Sequence, residues 1–147
     1  MHFACAVAMS VRFGMDLDLV KLPPADKGIC AGAIKAYKEV RDVTELGDLY
    51  RLEDPHESAR GALNYTAQDR SRVVVFVFQL RDGQALAVRP QGLDPTRRYA
   101  VHELNPAPGR SSIPQEGKTF TGEELMREGI VPSCANALEA CVIQLGP

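Results

Sequence analysis

The residues best equipped for chemistry in this chain are its carboxylates, which come in close pairs: Asp16 and Asp18, Glu53 and Asp54, Glu123 and Glu124. Glycoside hydrolysis uses paired carboxyls, but its retaining route needs them about 5–5.5 Å apart on opposite sides of a sugar ring. Side chains adjacent or two apart on loops do not straddle a ring, so capping and solvation account for these acids. The serines (Ser10, Ser58, Ser71, Ser111, Ser112, Ser133) lie in no G-x-S-x-G elbow, and no glycine-rich phosphate loop is present. Cys5, Cys30, Cys134 and Cys141 form no CxxC pair, and His2, His56 and His102 are far apart, so the close ligand pairs of a zinc site are missing. Buried free thiols are the simpler reading, and they favour a reducing, cytoplasmic setting. A sugar-stacking platform would use Trp or Tyr; the chain has no Trp, and Tyr37, Tyr50, Tyr65 and Tyr99 sit in apolar patterns that suggest core. No catalytic, cofactor-binding or metal-ligating residue is therefore assigned, and no cofactor is expected.

These side chains would be carried by one folded core. The chain has 147 residues, 45% hydrophobic and 24% charged, which are ordinary globular values. A net charge of −2 with scattered Lys and Arg leaves no electrostatic footprint for nucleic acid or an anionic membrane. No run reaches the roughly 20 apolar residues of a membrane span, and the apolar start lacks a basic segment before it. A soluble protein is expected.

The organisation changes near residue 47. Phe3 to Phe13 reads as a nearly all-apolar helix ending at Gly14, and such a helix needs cover on several sides. Opening at Met1, it has the look of a truncation that leaves apolar surface bare. Pro23-Pro24 then starts a second helix that should run to about Leu46. Ile29, Ala33, Ala36, Val40 and Val43 give it a stripe at helical spacing. Beyond Gly47, strands are expected at Asp48–Leu52, Ala62–Ala67, Arg72–Leu80, Ala85–Val88, Tyr99–Leu104 and Ala137–Leu145, with a strand end at Phe120. The run Val73 to Phe78 is apolar on both faces, which marks a central strand. Arg81-Asp82-Gly83 predicts a tight hairpin, and Thr121 with Glu124 a capping box. Short strands about 10 residues apart are the signature of an antiparallel β-sandwich.

Several segments together resemble one family. FACAVAMS at Phe3–Ser10 followed by FGMDLD at Phe13–Asp18, YKEVR at Tyr37–Arg41, GDLYRL at Gly47–Leu52, VVFVF at Val74–Phe78, GLDP at Gly92–Pro95 and GEELM at Gly122–Met126 are similar to glycoside hydrolase family thirty-six α-galactosidases, in the same order. GDLYRL is the most specific of these. Val11 stands where the family usually has Gly, and His2 where it often has Arg. The resemblance implies that residues 1–46 are the terminal helices of a (β/α)8 catalytic barrel and a connector, and that 47–147 is a C-terminal β-sandwich domain. It also implies a parent that hydrolyses terminal α-galactosides with retention, on two aspartates upstream of Met1. The partners so implied are that catalytic barrel and, through helical surfaces left bare, further copies of the chain. The competing expectation is an independent carbohydrate-binding or oligomerisation module without catalysis.

Overall fold

A computed structural model describes all 147 residues. The chain runs α1 (His2–Met9), α2 (Pro24–Leu46), β1 (Asp48–Glu53), β2 (Arg60–Thr66), β3 (Val73–Gln79), β4 (Arg98–Leu104), β5 (Thr119–Thr121), α3 (Gly122–Glu128) and β6 (Glu139–Gly146). The six strands form one antiparallel sheet in the order β1-β2-β3-β6-β4-β5. The fold is therefore mainly β, with helices in front, as expected. The structure has this one sheet, with a cover on each of its faces.

Pleating explains why two covers are needed. Successive side chains of β3 point to opposite faces, and Val73, Val74, Val75, Phe76 and Val77 are all fully buried. Val73, Val75 and Val77 join Cys141, Ile143 and Leu145 of β6 in one apolar cluster. Val74 and Phe76 join Ala140 and Val142 in the other. β3 is thus a central strand, paired with β2 on one side and β6 on the other.

The second cluster is closed by the two helices. Cys5, Ala6 and Met9 of α1 and Cys30, Ala33, Ala36, Val40 and Val43 of α2 are buried against the sheet. The stripe read along α2 is the buried one, except that Ile29 at its start is only partly covered. The bare helical surface expected from the sequence is correspondingly smaller, because the sheet's own face takes up most of it. α1 ends at Met9 rather than near Gly14: Ser10 and Val11 turn back to the carbonyls of Val7 and Ala8, and the Ser10 hydroxyl donates to Val7 at 2.8 Å. A polar side chain that bonds its own backbone competes with helix continuation. Tyr65 of β2 then donates to the Ser10 carbonyl at 2.8 Å, fixing the exit of α1.

The first cluster is closed by α3 and irregular segments: Val88, Leu93, Ile113, Leu125, Ile130 and Cys134. The hairpin expected at Asp82-Gly83 does not form. Asp82 accepts the Ala137 amide at 2.8 Å, and the Gly83 amide donates to the Ala135 carbonyl at 2.9 Å, so this loop binds the segment before β6. Of the strand expected at 85–88, only a bridge between Val88 and Ile130 remains. Gly92 has φ +79°, and an added Cβ would stand 2.7 Å from the Tyr50 ring, so no larger residue fits that turn. No helix is long and apolar enough to cross a membrane.

Two outcomes follow from the doubly covered strand. Val75→Asp places an unpaired charge in the first cluster and is expected to abolish cooperative unfolding in urea. Phe76→Ala, on the opposite face, should cost about 3–5 kcal/mol in the same titration. A Val75→Asp protein with an unchanged midpoint would mean that this face is open to water.

Candidate functional site

The structure puts four of the six paired carboxylates to local use. Asp18 accepts the Val20 amide at 3.1 Å and meets Lys21 at 3.3 Å. Glu53 takes a two-pronged bond from Arg60, whose Nε lies 2.6 Å from Oε2. Asp54 caps the following turn through the His56 amide at 2.8 Å. Glu124 completes a capping box with Thr121 at the start of α3, and Glu123 stands beside it in the first turn. Asp16 lines an apolar cleft between α1 and the segment after it. Of the three pairs only Glu53 and Asp54 line one cavity, an open pocket of about 540 Å³ along residues 51–57, and there Arg60 holds Glu53 while Asp54 is taken up by the His56 amide.

The tyrosines are committed as well. Tyr99 is buried, donates to the Arg70 carbonyl at 2.7 Å and accepts the Asp94 amide at 3.0 Å. Tyr65 binds Ser10, Tyr37 donates to Glu45 at 2.9 Å, and Tyr50 lies over Gly92. His2 reaches the Asn105 carbonyl, His102 pairs with Glu116 and His56 is exposed, so no imidazole meets a thiol or a second imidazole. No three His, Cys, Asp or Glu side chains share a centre that could hold a metal.

A further polar cluster lies outside the paired carboxylates. Glu103 of β4, its side chain only 2% exposed, accepts Arg110 Nη2 at 2.8 Å and the Ser133 hydroxyl at 3.0 Å. Arg110 also donates to the Ala140 carbonyl at 2.8 Å, while its Nε and Nη1 are buried without an acceptor. The Ser133 hydroxyl lies 3.3 Å from the Cys141 sulfur. The signal was in the alternation of β4: Tyr99 and Val101 face inward, and Glu103 is next on that face. The neighbouring Cys141 and burial raise the Cys134 thiol above its ordinary range, while Cys134 and Ser133 lower Cys141 against the opposing effect of burial. Chemically the cluster fastens the 105–118 and 129–138 segments to the sheet.

The remaining candidate is a surface. Two neighbouring apolar clefts, about 350 and 520 Å³, open between α1, α2 and residues 10–22, sharing Met15 and Leu17 on their walls. Around them Val7, Val11, Leu19, Val20 and Ile34 are exposed. Clustered apolar exposure of this kind marks a contact surface, whereas single exposed apolar residues do not.

Residues 60–145 match the glycosyl hydrolase family 36 C-terminal domain. Alpha-galactosidase AgaA of Geobacillus stearothermophilus is 30% identical over 127 residues, covering 84% of this chain and 16% of that protein. Alpha-galactosidase C of Emericella nidulans is 35% identical over 134 residues, covering 88% of this chain and 16% of its own length. Among solved structures, the GH36 alpha-galactosidase AgaB of Geobacillus stearothermophilus superposes with a TM-score of 0.81 at 27% identity, over 97% of this chain and 18% of that one. The chain thus spans under a fifth of the length of these relatives.

The carboxylates set a pH limit. Burial opposes charging of Asp42, but the Arg72 guanidinium outweighs it and holds the carboxyl below its usual range. Burial likewise opposes charging of Glu139, but bonds from Asn136 and Ala135 outweigh it and lower the carboxyl, while Glu124 is lowered by the Thr121 amide and hydroxyl. Groups whose folded pKa is depressed contribute stability above the unfolded value and lose it as pH falls through the folded one. The urea midpoint is therefore expected to hold from pH 7 to about 5 and to fall below about pH 4. A midpoint flat to pH 2 would contradict the assignment.

Proposed function

The chain belongs to glycosyl hydrolase family 36, as the C-terminal domain of an α-galactosidase, and from that premise we propose that it is the closing structural part of the enzyme. In this reading the parent hydrolyses terminal α-galactosides with retention, on two aspartates that precede this segment, and acts in carbohydrate metabolism in the cytoplasm. Residues 1–46 are the last helices of the catalytic barrel and its connector, and 47–147 the C-terminal β-domain. The observation that carries the reading is the exposed apolar surface at α1 and residues 10–22, on the side of α1 and α2 that the sheet leaves open. Helices apolar on two sides need a partner on each, and the sheet supplies only one. The catalytic barrel of the parent chain is the second partner. Four free, buried thiols support a reducing compartment.

Without that barrel, the same surface makes the separate chain a homo-oligomer. Covering 400 Å² of it at about 25 cal/mol per Å² contributes on the order of 10 kcal/mol before association entropy is subtracted.

An aryl α-galactoside assay tests the catalytic half of the reading. The chain itself is expected to release nitrophenol at the buffer rate, and a longer chain carrying the barrel to turn over. Turnover by the chain alone that vanishes on replacing one of its own acids would overturn the proposal. Light scattering tests the surface: at high micromolar concentration the chain should run above monomer mass, and Val11→Lys with Leu19→Lys should return it to monomer. A monomeric starting protein would show that the surface needs no partner.

A further inference from the structure

The turn before β6 is bonded on every side. The Glu139 carboxylate takes the Ala135 and Asn136 amides at 2.9 and 3.0 Å, and Asp82 takes the Ala137 amide at 2.8 Å. The Gly83 amide donates to the Ala135 carbonyl at 2.9 Å, and the Leu138 amide to the Gln79 carbonyl at 2.8 Å. At the end of this turn Leu138 has φ +61° and is 65% exposed. Left-handed backbone is costly for a residue with a Cβ and persists only where the surroundings impose it. Here a firmly held, strained turn presents a large apolar side chain to water.

Leu138 does not stand alone. The last rung between β3 and β6 is Gln79 opposite Glu139, and Leu80 and Leu138 are the residues just beyond it on either strand. Leu80 keeps its register with β2, its amide bonded to the Ala59 carbonyl at 2.9 Å. By alternation it continues the face of Val74, Phe76 and Phe78, the one that the helices cover. Yet Leu80 is exposed and Phe78 only partly buried. The sheet face therefore runs on past its helices as an apolar ledge.

The direction of α1 identifies the occupant of that ledge. Phe3 in its first turn meets Phe78 edge-on, with ring centroids 6.1 Å apart. At its far end the Ser10 carbonyl accepts Tyr65, which pairs with Val74 near the start of β3. α1 thus runs antiparallel to β3, and its N-terminus, with Met1 exposed, lies toward the end where Leu80 and Leu138 stand. Any chain that enters α1 arrives across this end of the sheet. The relatives have such a chain, because this C-terminal domain covers only 16–18% of their length.

We propose that, in the parent, the segment leading into α1 docks on the ledge formed by Phe78, Leu80 and Leu138. The inference rests on the reading of the chain as the closing part of a longer enzyme, and it concerns a surface separate from the clefts at residues 10–22, whose walls include none of these three residues. Three apolar side chains offer far less than the roughly 800 Å² per partner that a stable dimer buries. A segment joined covalently to α1 needs no such area, since its tether holds it at high effective concentration.

Thiol labelling tests the ledge in the 147-residue chain and in the parent chain. The rate at which Leu138→Cys takes up a maleimide is read by mass spectrometry of its peptide, relative to the same protein unfolded in urea. It should be about tenfold or more slower in the parent than in the separate chain. A benzophenone maleimide placed on the same cysteine of the parent should then, on irradiation, join to the residues just before Met1. Equal labelling rates, a link to a second copy, or a link elsewhere in the parent would each overturn the proposal. Turnover of an aryl α-galactoside by the same parent preparation judges the broader reading on its own. An active parent with equal labelling rates removes this inference alone; a protected cysteine in an inactive parent removes only the assigned activity. Should Leu138→Cys fail to fold, Leu138→Asn decides, because asparagine suits left-handed backbone. The melting temperature of the separate chain should rise with relief of strain and that of the parent should fall with loss of the contact. A parent whose melting temperature rises or stays the same would overturn the proposal.

Discussion

Everything in this structure depends on one strand being apolar on both faces. The run from Val73 to Val77 leaves no side of β3 that water can reach, so the sheet folds only if something covers each face. The faces are covered differently. Two regular helices close one, and a layer of irregular chain with a two-turn helix closes the other. The first cover is apolar packing with few polar ties; the second would be floppy without them.

Those ties are why polar residues are buried here. Arg60 joins β1, β2 and the segment after β3 at once, binding Glu53 on one side and the Leu86 carbonyl at 2.6 Å on the other. Asn64 and Thr66 of β2 both reach the Gln91 carbonyl, and Asn64 also accepts the Gln91 amide. Tyr99 ties the Asp94 turn to Arg70, and Glu103 with Arg110 and Ser133 does the same for the other end of the layer. Loop backbone packed against a core has few ladder partners, so side chains must supply them. The polar groups of this domain are consumed in holding its own cover.

The regular elements were legible in the sequence because each has a period. The α2 stripe, the doubly apolar β3 and the Thr121–Glu124 capping box all appear where spacing put them. What failed was local turn chemistry read in isolation. Asp82-Gly83 has the residues of a hairpin, but Asp82 and Gly83 spend their bonding capacity on residues 135 and 137, more than fifty positions away. The polar cluster at Glu103 was missed for the opposite reason. Its partners, Arg110, Ser133 and Cys141, lie on three segments with no common spacing, and only the inward phase of β4 pointed to it. The apolar character of Phe3–Phe13 was legible as composition, while the share of α1 and α2 taken by the sheet was not.

The position of β6 has a consequence for how the protein is made. In the sheet it lies between β3 and β4, but in the chain it follows both. Until it is synthesised, β1-β2-β3 and β4-β5 are two separate ribbons, each with an unpaired edge where β6 will sit. β3 is among the most apolar of all the strands, and its open edge waits while some sixty further residues leave the ribosome, an interval of several seconds at bacterial or eukaryotic rates. An unpaired apolar edge is a template for association with other chains. The nascent chain is thus most exposed to misassembly between the emergence of β3 and that of β6. Factors that shelter it in that window, or codon choices that shorten it, act on this open edge before the stability of the finished fold comes into play.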